Sequence, residues 1–182
     1  MPSSTEVLRP LRRAEYDQLI RLGAFRDERI ELLDGTLVQM SPIGPPHCAT
    51  IDRLNALLSA AFVAKARVRI QGSFAAGDLS EPEPDVAVVP LADYDDAHPD
   101  RAHLIVEVAE SSLAKDRGRK ARLYAECLVP EYWVVNLVNR SVEVHCEPMS
   151  GSYQLVTVYE RGSRIALREF PEVVLAVDEF VK

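Results

Sequence analysis

The sequence predicts an α/β (α+β) fold, a central mixed β-sheet flanked by helices with additional strands toward the C-terminal end. Three observations carry that expectation. Short apolar runs of strand length, such as Asp85–Val89, His103–Ala109 and Tyr132–Val135, recur along the chain. Between them lie two stretches with the three- and four-residue apolar spacing of helices. Asp-Gly and Asn-Arg pairs between apolar runs mark tight hairpins.

Taken in order, residues 1–10 read as a loose start, and Arg13–Leu22 as a short helix with Leu19, Ile20 and Leu22 as its apolar face. Ile30-Glu31-Leu32-Leu33, then Asp34-Gly35, then Thr36–Met40 read as a hairpin, because a type I′ turn needs positive φ at both central residues. Ser41–Pro46 breaks the strand. From His47 to about Lys65 the residues Ile51, Leu54, Leu57, Leu58, Ala61 and Phe62 form one buried helical stripe. Val68–Gln71 opens a strand, and Pro84 heads another where its missing N–H costs least. Residues 90–101 form an acidic loop before the run His103–Ala109. Ser111 or Ser112 caps a helix to about Cys127, and Pro130 ends it. Tyr132–Val135 and Val142–His145 pair across Asn139-Arg140, and strands follow at Tyr153–Tyr159 and Ile165–Leu167. Trp133, Tyr132 and the Tyr153–Tyr159 strand read as core.

At 182 residues the chain has the length of a single domain, 1–182, able to bury roughly 70% of its unfolded surface. The 47% hydrophobic and 27% charged fractions exclude a disordered or fibrous chain. A net charge of −7 argues against a surface that clings to nucleic acid everywhere, while leaving room for a local basic groove. Cys48, Cys127 and Cys146 have no paired spacing, so reduced thiols, mostly in the core, are expected rather than disulfides or zinc. No run approaches a membrane span, and the N-terminal stretch lacks an apolar signal core, so the expected location is cytoplasmic.

Acids stand where strands want apolar side chains. Glu107 lies inside Leu104–Val108, a run that reads as buried on both faces. An isolated ionised carboxylate there costs several kcal/mol, so it must be neutral, paired or bound to a cation. Asp85 heads one strand and Glu31 sits in the first hairpin. Singly, each reads as a solvated strand end or a buried ion pair; together they make an oxygen-rich pocket suited to a hard divalent cation. Lys115–Arg122 holds five basic residues in eight. Lys115, Arg117, Arg119 and Arg122 read as a solvated face. Lys120, beside the stripe of Leu113, Ala121, Tyr124 and Leu128, can lay its stem on the core edge and turn its ammonium toward the acids.

Glu31-Leu32-Leu33-Asp34-Gly35, Glu83-Pro84-Asp85-Val86, Ile105-Val106-Glu107-Val108, Ser111-Ser112, Asp116 with Lys120 and Tyr124, and Val129-Pro130-Glu131-Tyr132-Trp133 occur in that order. This ordered set, spread over about residues 12–180, resembles the Uma-two family of endonuclease-like proteins, a branch of the PD-(D/E)XK superfamily. The resemblance implies a restriction-endonuclease-like core and metal-dependent hydrolysis of phosphodiester bonds. It implies Asp85 and Glu107 as ligands of Mg²⁺ or Mn²⁺, Glu31 as a further acid and Lys120 as the catalytic lysine. Lys115, Arg117 and Arg119 would hold flanking phosphates, with His47 and Tyr124 accessory. The superfamily's (D/E)XK motif would place a lysine at position 109, where this chain has Ala109; the lysine role then moves to Lys120 on the following helix. Glu110 and Leu128 also depart from the family's usual Ser and Gly.

The competing expectation is a member of the same fold that binds nucleic acid or protein without cutting, favoured by Ala109 and the net charge. A thiol or Ser-His hydrolase fits poorly, because His47, His98, His103 and His145 show no motif spacing. Nucleic acid, DNA first, is the expected partner, and exposed edges of the C-terminal strands could pair two subunits into a homodimer.

Overall fold

The computed structural model describes residues 8–182, so the expectation of a loose start lies, for residues 1–7, outside the described residues. Helix α1 spans Arg13–Arg21 and buries Tyr16. Strands β1 (Ile30–Leu33) and β2 (Thr36–Gln39) form the hairpin, with Asp34 at φ +47° and Gly35 at +71°, as its turn requires. Helix α2 (Pro45–Ala61) starts with proline in its first turn and buries Ile51, Leu54 and Leu58.

Strands β3 (Ala66–Ile70), β4 (Val86–Pro90), β5 (Leu104–Ala109), β6 (Glu131–Asn136), β7 (Ser141–Met149) and β8 (Ser152–Glu160) build one six-stranded sheet in that spatial order. Every neighbouring pair is antiparallel except β5–β6, where Glu107 lies opposite Val134. Parallel neighbours need a crossover. Here it is helical: α3 (Leu113–Lys115), a π turn (Asp116–Lys120) and α4 (Ala121–Glu126).

Alternation along the strands divides the core in two. Val86, Val88, Val106, Val108, Trp133 and Val135 pack toward α2 and the C-terminal segment. Ala87, Val89, Ile105, Ala109, Tyr132 and Val134 pack under the crossover helix with Tyr124. Glu107 shares the odd-numbered parity of Ile105 and Ala109, so it points under that helix.

Several expectations needed correcting. The helix after Ser112 is not uniform α; the wider π turn interrupts it. Strand β8 is mostly exposed rather than core, because it forms the free edge of the sheet and nothing among the described residues pairs with its outer side. Two C-terminal elements without strong periodicity were not foreseen: β10 (Val174–Ala176), which pairs with β9 (Arg164–Ala166), and α5 (Val177–Phe180). Cys48 and Cys127 are only half-buried, although all three thiols are free and Cys146 is buried.

Candidate active site

The site lies under the crossover helix, where β1, β4, β5 and α2 each bring one functional side chain. Lys120 is 2% exposed, and its Nζ donates to Glu107 Oε1 at 2.8 Å and lies 3.2 Å from Glu31 Oε2. Tyr124, one turn further on, donates its hydroxyl to the same Glu107 oxygen at 2.7 Å. Asp116, one turn earlier, is buried too, and its Oδ2 accepts from the Ser112 hydroxyl at 2.5 Å. Asp116, Lys120 and Tyr124 therefore line one side of the helix. A π turn holds more residues than an α turn, so a four-residue step across it stays closer to one revolution.

Asp85, just before β4, is fixed from two sides. Its Oδ2 accepts the Val108 backbone N–H at 2.8 Å, and the His47 Nε2 of α2 stands 3.2 Å away. Asp85, Glu107, His47, Asp116 and Lys120 all border one pocket of about 260 Å³. Glu31 does not border it. Its oxygens are taken by Lys120 and by Lys115, whose Nζ donates at 2.8 Å.

The charges are strongly coupled. Burial, with Asp116, Asp85 and Glu31 adding to it against Lys120, pushes the Glu107 carboxyl up to about 8. Burial opposes the charge on Lys120, but Glu107, Glu31 and Asp116 outweigh it and raise its pKa. Burial would raise Glu31 as well, yet Lys120 and Lys115 hold it below the usual carboxylate range. Burial raises Asp116. For His47 the Asp85 carboxylate overcomes desolvation and raises its pKa. The result is a fixed ammonium facing a carboxyl poised to lose its proton.

Among the described residues, no three His, Cys, Asp or Glu side chains are gathered closely enough to hold a metal ion by themselves. The donor set still fits Mg²⁺, which keeps several waters and is commonly held by one or two carboxylates plus phosphate oxygens. Asp85 and Glu107 bring hard carboxylate oxygens to the wall of one pocket, where they would hold such a cation.

The basic residues that sequence reasoning placed on an open face are each engaged by an acid. Lys115 holds Glu31, Arg117 holds Glu143, and Arg119 and Arg122 share Asp34. Arg119 also donates to the Leu33 carbonyl. Ala109 is buried in the same cluster as Ala121, Tyr124 and Tyr132. A lysine side chain there would have to thread beneath the helix that delivers Lys120. Asp116 was missed as a site residue, although its four-residue offset from Lys120 was the signal. The Val108 N–H that anchors Asp85 leaves no mark in a sequence.

Sheet, crossover helix and the buried lysine between acids together define a protein of the restriction-endonuclease-like class. A family model described as "Putative restriction endonuclease", Uma2, matches residues 13–178. The chain belongs to the Uma2 family. A solved structure described as a "putative nuclease belonging to DUF820", from Anabaena variabilis ATCC 29413, superimposes with a TM-score of 0.71 at 15% identity. The similarity covers 94% of this chain and 97% of that one. No curated protein matches the chain.

Proposed function

We propose that the chain is a metal-dependent endonuclease that hydrolyses phosphodiester bonds, with DNA as its first substrate. The observation that carries this reading is Lys120. A lysine is seldom buried without a reason, and this one directs its ammonium at Glu107 and the pocket rather than at solvent. Asp85 and Glu107 are the residues that would hold Mg²⁺ or Mn²⁺. When bound, such a cation supplies Lewis acidity and lowers the pKa of a coordinated water. Lys120 neutralises negative charge that develops beside Glu107 and orients the attacking water. Tyr124 fixes the Glu107 carboxylate, His47 and the Val108 N–H fix Asp85, and Glu31 keeps Lys120 charged and in place. Lys115, Arg117 and Arg119 reach phosphates only by exchanging their acid partners for them.

The exposed β8 edge, with Leu155, Val156 and Val158 at its surface, supports a homodimer formed by strand addition, since an open edge is a template for another strand. Two sites would then suit a double-strand cut. No helix among the described residues is long and apolar enough to cross a membrane, and free thiols suit a cytoplasmic location.

A non-cutting, nucleic-acid- or protein-binding member of the fold is the second reading, favoured by one observation: Lys120 already occupies the space between Glu107 and Glu31. The deciding experiment is cleavage of supercoiled DNA by purified protein with Mg²⁺, Mn²⁺ or EDTA, beside Lys120→Met. Metal-dependent nicking that the variant loses supports the nuclease. Intact DNA in every lane, with retained binding, supports the second reading.

A further inference from the structure

A second and larger pocket, of about 530 Å³, lies beside the first and shares Arg29 with it. Its size falls within the roughly 300–1,000 Å³ of small-molecule sites. Glu81 stands in its wall, only 4% exposed, and its backbone is paired with that of Leu32 in β1. The Glu81 carboxyl exchanges hydrogen bonds with the Asp17 carboxyl of α1 and the Ser73 hydroxyl. Its Oε2 is nevertheless buried with no donor of its own among the described residues. Two carboxyls can hydrogen-bond to each other only by sharing a proton. Burial, and after it Asp17, push Glu81 up to about 7. That shared proton is the smallest cation the pair can hold, and it stands where a larger one would fit.

The rest of the wall says which cation. Six carboxyls line the pocket against three guanidiniums. Two of the three arginines are already engaged: Arg29 holds Glu83, and Arg13 donates to the Gly77 carbonyl and lies 3.9 Å from Asp17. Glu28, Asp95 and Asp96 are exposed, so the acids fall into a buried pair and an open group. The same wall carries apolar surface from Tyr16 and Phe25, whose rings stack with centroids 6.2 Å apart. A metal ion needs converging oxygens, and among the described residues no three acids gather closely enough to hold one. Ammonium groups on a flexible apolar chain can instead meet separated acids one by one. We propose that this pocket binds a linear aliphatic diamine or polyamine. One ammonium sits at Glu81 and Asp17, the methylenes lie along Tyr16 and Phe25, and a second ammonium meets Asp95 and Asp96. An ammonium brings three donors and no acceptor, so it satisfies Oε2 and takes the place of the shared proton. An alkylammonium keeps its charge to about pH 10, so near neutrality the proton is lost by the acids and not by the ligand. The site is independent of the nuclease reading and stands whether or not the chain cuts DNA.

The test is calorimetric titration of the metal-free full chain with 1,4-diaminobutane at low salt, beside butylamine and 1,4-butanediol as singly charged and neutral probes. The diamine should bind about tenfold or more tightly than butylamine, because its second ammonium binds within the same pocket, and the diol should give no heat. Affinity should rise from pH 6 to 8. At pH 6 binding should release up to about one proton, read from heats in buffers of different ionisation enthalpy. Glu81→Gln should weaken the diamine by about 10–100-fold, the scale of one charged hydrogen bond, and abolish the proton release. Asp95→Asn combined with Asp96→Asn, on an exposed loop, should weaken the diamine and spare butylamine, which keeps the test decisive where Glu81→Gln folds poorly. No diamine binding at millimolar concentration, equal binding of butylamine or the diol, or a diamine affinity that survives the loop variant would overturn the proposal.

Discussion

Two glutamates are buried in neighbouring strands of the same sheet, and they do opposite things. Glu131, at the start of β6, accepts the Trp133 indole N–H through Oε1 at 2.7 Å and the Arg168 backbone N–H through Oε2 at 2.7 Å. Both its oxygens have neutral donors, and it ties the C-terminal segment to the sheet. Glu107, in the middle of β5, has two donors crowded on Oε1 and faces a pocket with the rest of its carboxylate. A buried acid with each oxygen assigned a donor is a structural pin. One with its donors crowded on one oxygen, a lysine beside it and space in front is a candidate for chemistry.

The largest expected effect separates the two directly. Lys120→Met and Glu107→Gln should each lower cleavage by about 10²–10⁴-fold, the scale of a lost general base or charge stabiliser, while the folded fraction of Glu131→Gln cuts at the wild-type rate. A gel assay at saturating Mg²⁺ reads this, and equal losses at Glu131 would dissolve the distinction.

Stability should rank the pair the other way. Glu131→Ala strands the buried Trp133 indole N–H and frees the part-buried Arg168 N–H, and should cost about 1–3 kcal/mol, seen as a melting temperature lower by several degrees. Glu107→Gln keeps an acceptor for Tyr124 and Lys120 and removes a desolvated carboxyl, so the metal-free variant should melt at or above the wild type. Calorimetry in EDTA settles which of the two holds the fold.

The pH dependence sharpens this further. Glu107 is raised to about 8, so between its unfolded value and 8 the folded state holds a proton that the unfolded state has lost. Its stabilising contribution is complete below the unfolded carboxylate pKa and declines as pH climbs toward 8. Glu81, raised to about 7, adds the same sign over a narrower window. Denaturant midpoints of the metal-free protein should fall from pH 5 to 8, and Glu107→Gln should flatten most of that slope. A slope unchanged in the variant would mean that Glu107 is ionised throughout.

The smallest effect concerns the link between the two strands. Leu128, between α4 and β6, has φ +56° and an exposed side chain. A left-handed residue other than glycine costs about 1–2 kcal/mol, and glycine returns part of that through unfolded-state entropy. Leu128→Gly should therefore stabilise by about 0.5–1 kcal/mol in urea unfolding and leave both glutamates as they are.

Much of this arrangement was legible in the residues. The Asp34-Gly35 turn, the apolar runs and the misplaced Glu107 are local patterns, and each gave its element or its anomaly directly. Lys120 could be singled out because its neighbours on the helix are apolar. What could not be read is pairing between distant segments. Nothing near Arg117 or Arg119 in the chain announces that Glu143 and Asp34 will neutralise them. Nor does the composition of β8, as apolar as a core strand, disclose that it ends the sheet. The π turn escaped for a related reason, since its extra residue satisfies tertiary contacts of Asp116 and Lys120 rather than any local preference.

The grip of Glu31 on Lys115 joins residues 84 apart in sequence, and Lys120 spans a similar interval. The hairpin, the sheet and the crossover helix must all have docked before that grip can close. Contacts of such long range form slowly because loop closure is paid before they are rewarded. A chain that has collapsed but not yet docked its first hairpin leaves Lys120 without Glu31 and its ammonium unplaced. The order of folding therefore decides when the candidate site is first assembled.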